Sequence, residues 1–427
     1  MAVRFDEAAL EWSRDEGRIN VAVLGARVYD SDGRIIAQAP KAEINLGAAA
    51  FLSGRLAVRS IALVGMQFTL VRTKAGRLRL GVTKDSTGAD LLERISDAIS
   101  ARSTSASTLQ KFSIRRARMA FYDEGTGLFV VAPRATLNLT TADAGKTGAR
   151  LQLGIAAHVE VSGKPANVVA NLDLPQNNAP LSGDISVTGL DLNALGRNSK
   201  WFAALEPLHL ISEISGSFKV KGSSLLFADF GMSAKGSVAG FGQPVHVKSL
   251  RMVGRYDGAT GRLLIDDATL EGNQAEAHMT GRGDISFDEQ GVISKIALSL
   301  GMDQVKLDMP SELGSKIALS GAALQADYLP KDGRINIQRF SLDGGALSAH
   351  ASGSVVLAGS QTPAIELRGS VAALSIQDLL KYWPLNAVDG VRDWVAPNIT
   401  AGKIGPISFQ THIPAGALSL PQLPEDA

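Results

Sequence analysis

The sequence predicts a mainly β protein, an elongated, curled antiparallel β-sheet groove built from repeated hairpins, with a few short capping helices. Three observations carry this expectation. Apolar and polar residues alternate with a period of two over long stretches, which gives a strand one dry face and one wet face. Glycine is abundant, 44 of 427 residues, and falls both at turns and inside the alternating runs. The chain also repeats itself at an offset of 72 residues, and a repeated unit that cannot bury its own face must stack on its neighbours.

In chain order, Val3 and Phe5 already alternate with Arg4 and Asp6. Apolar runs flank the turn-rich Asp30-Ser31-Asp32-Gly33, a hairpin signal, and Ala26–Leu46 as a whole resembles Ala117–Leu139, which is built about Asp123-Glu124-Gly125-Thr126-Gly127. Leu78, Leu80 and Val82 alternate. Ala89–Ser100 reads as a helix, with Leu91, Leu92, Ile95, Ala98 and Ile99 on one face after the capping run Asp85-Ser86-Thr87. Ser100–Ser107 reads as a linker. Leu151, Leu153, Ile155, Val159 and Val161 mark a strand, and a helix is expected near Leu192–Leu205, which holds Trp201-Phe202.

The clearest alternation runs from Ala275 to Phe287, with Ala275, Ala277, Met279, Gly281, Gly283, Ile285 and Phe287 on one face and charged or polar residues between them. Leu347–Leu357 repeats it. An offset of 72 places Tyr256 on Tyr328, Gly261 on Gly333, Ile265 on Ile337, Ala277 on Ala349, His278 on His350 and Gly281 on Gly353 without a gap. A helix follows Ser375, where Ser375 and Asp378 approximate a capping box, and stops at Trp383-Pro384; a short fourth covers Val388–Val395, before a strand-like run from Ile404 to Ile413. Three segments result: 1–103, ending in a helix; 104–205, also with a helix; and 206–427, which contains the 72-residue repeat and a helical element near 375–396.

Charge is balanced, 43 basic against 42 acidic residues, and no basic block offers the electrostatic footprint of a nucleic-acid binder. With no cysteine, thiolate catalysis, disulfides and cysteine-ligated zinc are all excluded. Ala144-Gly145-Lys146-Thr147 matches only the end of a phosphate-binding loop, and a strand follows where that loop needs a helix. The six histidines are scattered. His278 and His350, equivalent in the repeat, could form a cross-strand metal pair, but a solvated position kept by duplication is the simpler expectation. No nucleophile, base and orienting group come together. The sequence therefore predicts no enzyme, no cofactor and no metal. Tyr382, Trp383 and Trp394 are expected to pack a helix on the sheet, with a membrane-interface anchor as the other reading. No signal peptide or spanning stretch is legible, and the chain reads as a piece of a longer protein whose anchor lies upstream.

Two groups of motifs support a family resemblance. Gly54-Arg55-Leu56-Ala57-Val58 through Val71-Arg72, followed by Gly76-Arg77-Leu78, resembles the N-terminal region of bacterial AsmA-like proteins. Leu379–Pro384, Val391-Arg392-Asp393-Trp394-Val395 and Gly402-Lys403-Ile404 are similar to the YhdP-type branch, where a helix ends near a Trp-Pro and a second helix leads into a strand. The resemblance implies kinship with TamB and bridge-like lipid transfer proteins, anchored in the bacterial inner membrane by an N-terminal helix absent from this sequence. It further implies a periplasmic β-groove that moves phospholipid toward the outer membrane, with possible envelope-protein partners. Residue chemistry agrees, because small apolar residues at repeat-equivalent positions leave room for acyl chains. The expected groove-facing residues are Ala277, Met279, Ile285, Phe287, Leu347, Ala349, Ala351, Val355 and Leu357. The other reading is a structural or assembly factor for outer-membrane proteins, with a closed core and active edges.

Overall fold

A computed structural model of the chain describes residues 2–13, 18–29, 35–47, 58–74, 78–81, 110–143, 149–174, 179–221, 224–238, 244–288, 293–308, 316–357, 362–383 and 390–417. The expected helix at 89–100, the linker at 100–107, the turn at 30–33, the Ala144–Thr147 motif and Pro384 lie outside these residues. The chain is mainly β and divides into two compact units, 1–190 with 215–226 and 191–214 with 227–427.

In the first unit, β1 (Ala2–Arg4) and β2 (Glu7–Ser13) both pair with β3 (Arg18–Tyr29), which forms a hairpin with β4 (Ile35–Gly47). β5 (Val58–Val64) and β6 (Gln67–Arg72) follow on either side of a kink at Gly65, and β7 (Leu78–Gly81) pairs with β6. Both β5 and β6 run parallel to β8 (Lys111–Asp123), a departure from a purely antiparallel sheet. A parallel pair needs a connection of a dozen or more residues, and 38 residues separate β6 from β8 in the chain. The meander then continues antiparallel through β9 (Phe129–Asp143), β10 (Ala149–Val161), β11 (Lys164–Leu174) and β12 (Leu181–Asp191).

The looser repeat is structural. Gly25 and Arg116 occupy equivalent places and both have left-handed backbone, φ 64° and 54°. Alanines behind them are buried in matching pairs: Ala26 with Ala117, Ala39 with Ala132, Ala42 with Ala135. The Asp123–Gly127 turn is tied down by Asp123 itself. Its carboxylate accepts from the Gly125 N–H, the Thr126 hydroxyl and the Arg72 guanidinium, at 2.9, 2.9 and 3.1 Å.

The second unit opens with α1 (Leu192–Asn198), capped by the Asp191 carboxylate on the Ala194 N–H at 3.0 Å, and a 3-10 turn, Lys200–Leu205. β13 (Leu208–Lys221) follows, its residues from Ser215 on belonging to the first unit. From β14 (Ser224–Val238) the sheet is an antiparallel meander through β15 (Val245–Asp257), β16 (Arg262–Gly272), β17 (Ala275–Phe287), β18 (Ile293–Asp308), β19 (Lys316–Leu329), β20 (Arg334–Gly344), β21 (Leu347–Val356) and β22 (Ala364–Val371). The short β23 (Leu374–Ser375) then leads into α2 (Ile376–Tyr382) and α3 (Val391–Asn398). β24 (Lys403–Ile404) closes back on β23, and β25 (Ile407–Ile413) resumes the meander beside β22. Ser375 caps α2 as its spacing predicts: Oγ accepts from the Asp378 N–H at 3.0 Å and donates to its carboxylate at 2.6 Å.

The 72-residue repeat is a four-strand module. By the 72-residue offset β15–β18 correspond to β19–β22, and the α2–α3 element lies in the long connection after the second copy, where seven residues suffice after the first. Each copy carries the same irregularity. Asp266 and Asp267 bulge between Ile265 and Ala268, and Gln338 and Arg339 bulge between Ile337 and Phe340, so the apolar residues on either side stay on one face.

Candidate functional site

Register joins the apolar positions of the second unit into rows that run across the strands. One row is Phe230, Gly254, Ile265, Gly281, Leu300, Leu324, Phe340, Ala351, Gly369 and Phe409, one residue from each strand of the meander. The next is Met232, Met252, Ala268, Met279, Met302, Ala322, Leu342, Ala349, Val371 and Ile407. Four of the eight methionines of the chain therefore lie in one row, with Met232 opposite Met252 and Met279 opposite Met302. At about 4.8 Å per strand, such a row is on the order of 40 Å long.

The expected groove residues fall on this face. Ala277, Met279 and Ile285 are on β17, and Leu347, Ala349, Ala351 and Val355 are on β21, all half-buried. Leu357 is half-buried just past β21, whereas Phe287, at the end of β17, is 46 % exposed. The two sets are not neighbours, since β18, β19 and β20 intervene; the rows connect them. Room on the face is not where glycine stands. A Cβ on Gly283 would meet a Leu298 methyl at 3.0 Å, and one on Gly281 a Leu300 methyl at 2.5 Å, so leucines of β18 lean over both. Sequence reasoning missed the methionine row, because Met232, Met252 and Met302 come together only through register.

One margin of the face is covered. Tyr382, from α2, packs with Leu342 and Leu347 on the buried cluster of Val305, Ile317 and Leu319, and its hydroxyl donates to the Gly344 carbonyl at 3.2 Å. At the other margin the Tyr328 hydroxyl donates to the Trp201 carbonyl at 3.4 Å, which places the 3-10 turn there. Burial pushes the Tyr328 hydroxyl up, as it does that of the repeat-equivalent Tyr256, so both stay neutral. Trp394 does not join Tyr382 on the sheet. It is 61 % exposed on α3, which corrects the expectation that these aromatics pack together.

The opposite face holds the balanced charge. Lys306 pairs with Glu276 at 2.8 Å, Lys316 with Asp308 at 2.7 Å and Arg255 with Asp266 at 3.1 Å. The Lys306 ammonium holds the Glu276 carboxyl below its ordinary range. His278 lies between Asp303, at 2.7 Å, and Asp267, at 2.9 Å, which raise its imidazole. His350 instead meets the Ser370 hydroxyl at 3.1 Å. With three strands between them, roughly 19 Å by strand spacing, the two histidines form no metal pair. Among the described residues no histidine, aspartate and glutamate group is arranged to hold a metal ion.

Open depressions on this face recur with the repeat. Ile265, Asp266, Thr280 and Gly281 line one, and Ile337, Gln338, Ser352 and Gly353 line its counterpart. Comparison of the chain with protein-family models, curated proteins and solved structures returned no match. No helix among the described residues is long and apolar enough to cross a membrane.

Proposed function

We propose that the apolar face of the second unit binds the acyl chains of phospholipid, and that the protein is a non-enzymatic lipid-binding or lipid-transfer module of the bacterial cell envelope. The observation that carries this reading is the continuous apolar face spanning β14 to β25, whose side chains are in large part half-buried. A finished sandwich core buries such residues fully, at crystal-like density. This face keeps part of its surface available, between margins held by Tyr382 and by the Tyr328–Trp201 contact.

Methionine suits such a surface, since its unbranched thioether adapts to irregular partners. Each methylene removed from water contributes about 0.8 kcal/mol. A chain of about a dozen methylenes, half covered, thus gains on the order of 5 kcal/mol, with no hydrogen bond to fix its position along the row. Non-directional holding of this kind permits sliding. The resemblance to AsmA-like proteins supports periplasmic placement and traffic between inner and outer membranes.

The test is mass spectrometry of lipid extracted from the purified chain, with uptake of a fluorescent phospholipid by the wild type and Ala349→Asp. Co-purified phospholipid, and loss of uptake with modest loss of stability in the variant, support the reading. A chain that neither carries nor takes up lipid overturns it. Outright unfolding of Ala349→Asp would instead mark the face as a closed core.

A further inference from the structure

We propose that the row of Met232, Met252, Met279 and Met302 is a reversible oxidation site that switches the apolar face from acyl-binding to non-binding. The inference rests on the acyl-binding reading above. The four side chains stand at one height on neighbouring strands, two directly facing pairs separated by Ala268, and all four are half-buried. The chain has no cysteine, so its only oxidisable sulfurs are thioethers. Met66, in contrast, is 3 % exposed. Met119, on β8 of the first unit, is half-buried as well, so among the described methionines four of the five half-buried ones lie where an acyl chain would lie.

A hydroperoxide is the oxidant. The thioether sulfur attacks the distal peroxide oxygen, the O–O bond breaks and an S–O bond forms. Hydrogen peroxide leaves as water, reduced by the two electrons that the sulfur loses. The sulfoxide is polar and chiral, and methionine sulfoxide reductases return it to the thioether. A sulfoxide beneath a bound chain must be desolvated without a partner, so each oxidised methionine is expected to weaken acyl binding by about tenfold. Bound lipid, conversely, shields the row.

The experiment treats the purified chain with hydrogen peroxide, maps sulfoxides by peptide mass spectrometry and measures uptake of a fluorescent phospholipid. Restoration by methionine sulfoxide reductases A and B is then followed. The expected result is oxidation of the four row methionines before Met66, loss of uptake in step with it, slower oxidation when lipid is loaded first, and recovery on reduction. Met279→Leu/Met302→Leu should lose part of the peroxide sensitivity, read as the ratio of treated to untreated uptake in the same variant; if that variant fails to fold, recovery of the wild type decides. Unchanged uptake with the row oxidised, or a row no more reactive than Met66, overturns the switch. Failure of untreated wild type to take up lipid overturns the acyl-binding reading and the switch with it, and only the first pair of results separates the two.

Discussion

The Tyr382 hydroxyl donates to the carbonyl of Gly344 across 38 residues of chain, at 3.2 Å, and this bond seats α2 on one margin of the apolar face. Gly344 admits the contact because a Cβ there would meet the phenol oxygen at 3.4 Å and a Leu319 methyl at 2.8 Å. The helix belongs to the long connection after the second copy of the repeat, where seven residues suffice after the first, so the sheet does not require it. Tyr382→Ala should uncover Leu319, Leu342 and Leu347, raising phospholipid uptake while lowering stability by about 2–3 kcal/mol. Parallel lipid titrations and urea unfolding would check both signs. A loss of uptake would make Tyr382 part of the binding surface instead of its cover.

His278 predicts a pH dependence. Asp303, and then Asp267, raise its imidazole above the ordinary value of 6.5. The folded state therefore holds the proton more tightly than the unfolded chain, and the contribution is fully present below that ordinary value. It is lost as pH rises through the raised folded value. Thermal midpoints should fall over that interval in the wild type and stay flatter in His278→Gln, with an imidazole NMR titration locating the step.

Asp123 is buried and accepts three hydrogen bonds around its turn, one from Arg72. Removing its carboxylate leaves the turn amide and hydroxyl to find water in a half-buried site. Asp123→Ala should cost about 2–3 kcal/mol, and Asp123→Asn less, because the amide oxygen still accepts. Urea midpoints at unchanged slope would measure both.

Two glycines on β21 and β18 should respond unequally to alanine. Gly353 has φ 155°, and a Cβ there would overlap the Glu366 carbonyl. Gly301 faces open space. Gly353→Ala is expected to destabilise by about 2–3 kcal/mol, whereas Gly301→Ala stays within about 0.5 kcal/mol of wild type. Paired denaturation curves would settle the contrast.

Much of this architecture is legible in the sequence. Period-two alternation marks the long strands, since side chains on a pleated backbone must alternate faces. The exact 72-residue offset marks the module, and Ser375 with Asp378 marks the start of α2 to the residue, because capping is a local hydrogen-bond pattern. The parallel placement of β5 and β6 beside β8 is not legible, because alternation reports a strand's faces and never the direction of its partner. Nor is the flip of β18, where Gln304, with φ 51°, moves the apolar set from Met302 to Val305 and keeps both on one side.

The sequence by itself determined the fold class, the repeat and the membership of the apolar face on β17 and β21, because each follows from local periodicity. Only the tertiary structure decided which residues share a row. Register depends on bulges at Asp266–Asp267, Gln338–Arg339 and Gln304 that no local rule specifies, and on strands that meet far apart in the chain. That is why four methionines scattered over 71 positions form one strip, and why Tyr382 rests on the sheet while Trp394 faces solvent. The glycine excess likewise divides by context: at Gly281 and Gly283 leucines fill the space a side chain would take, and at Gly301 nothing does.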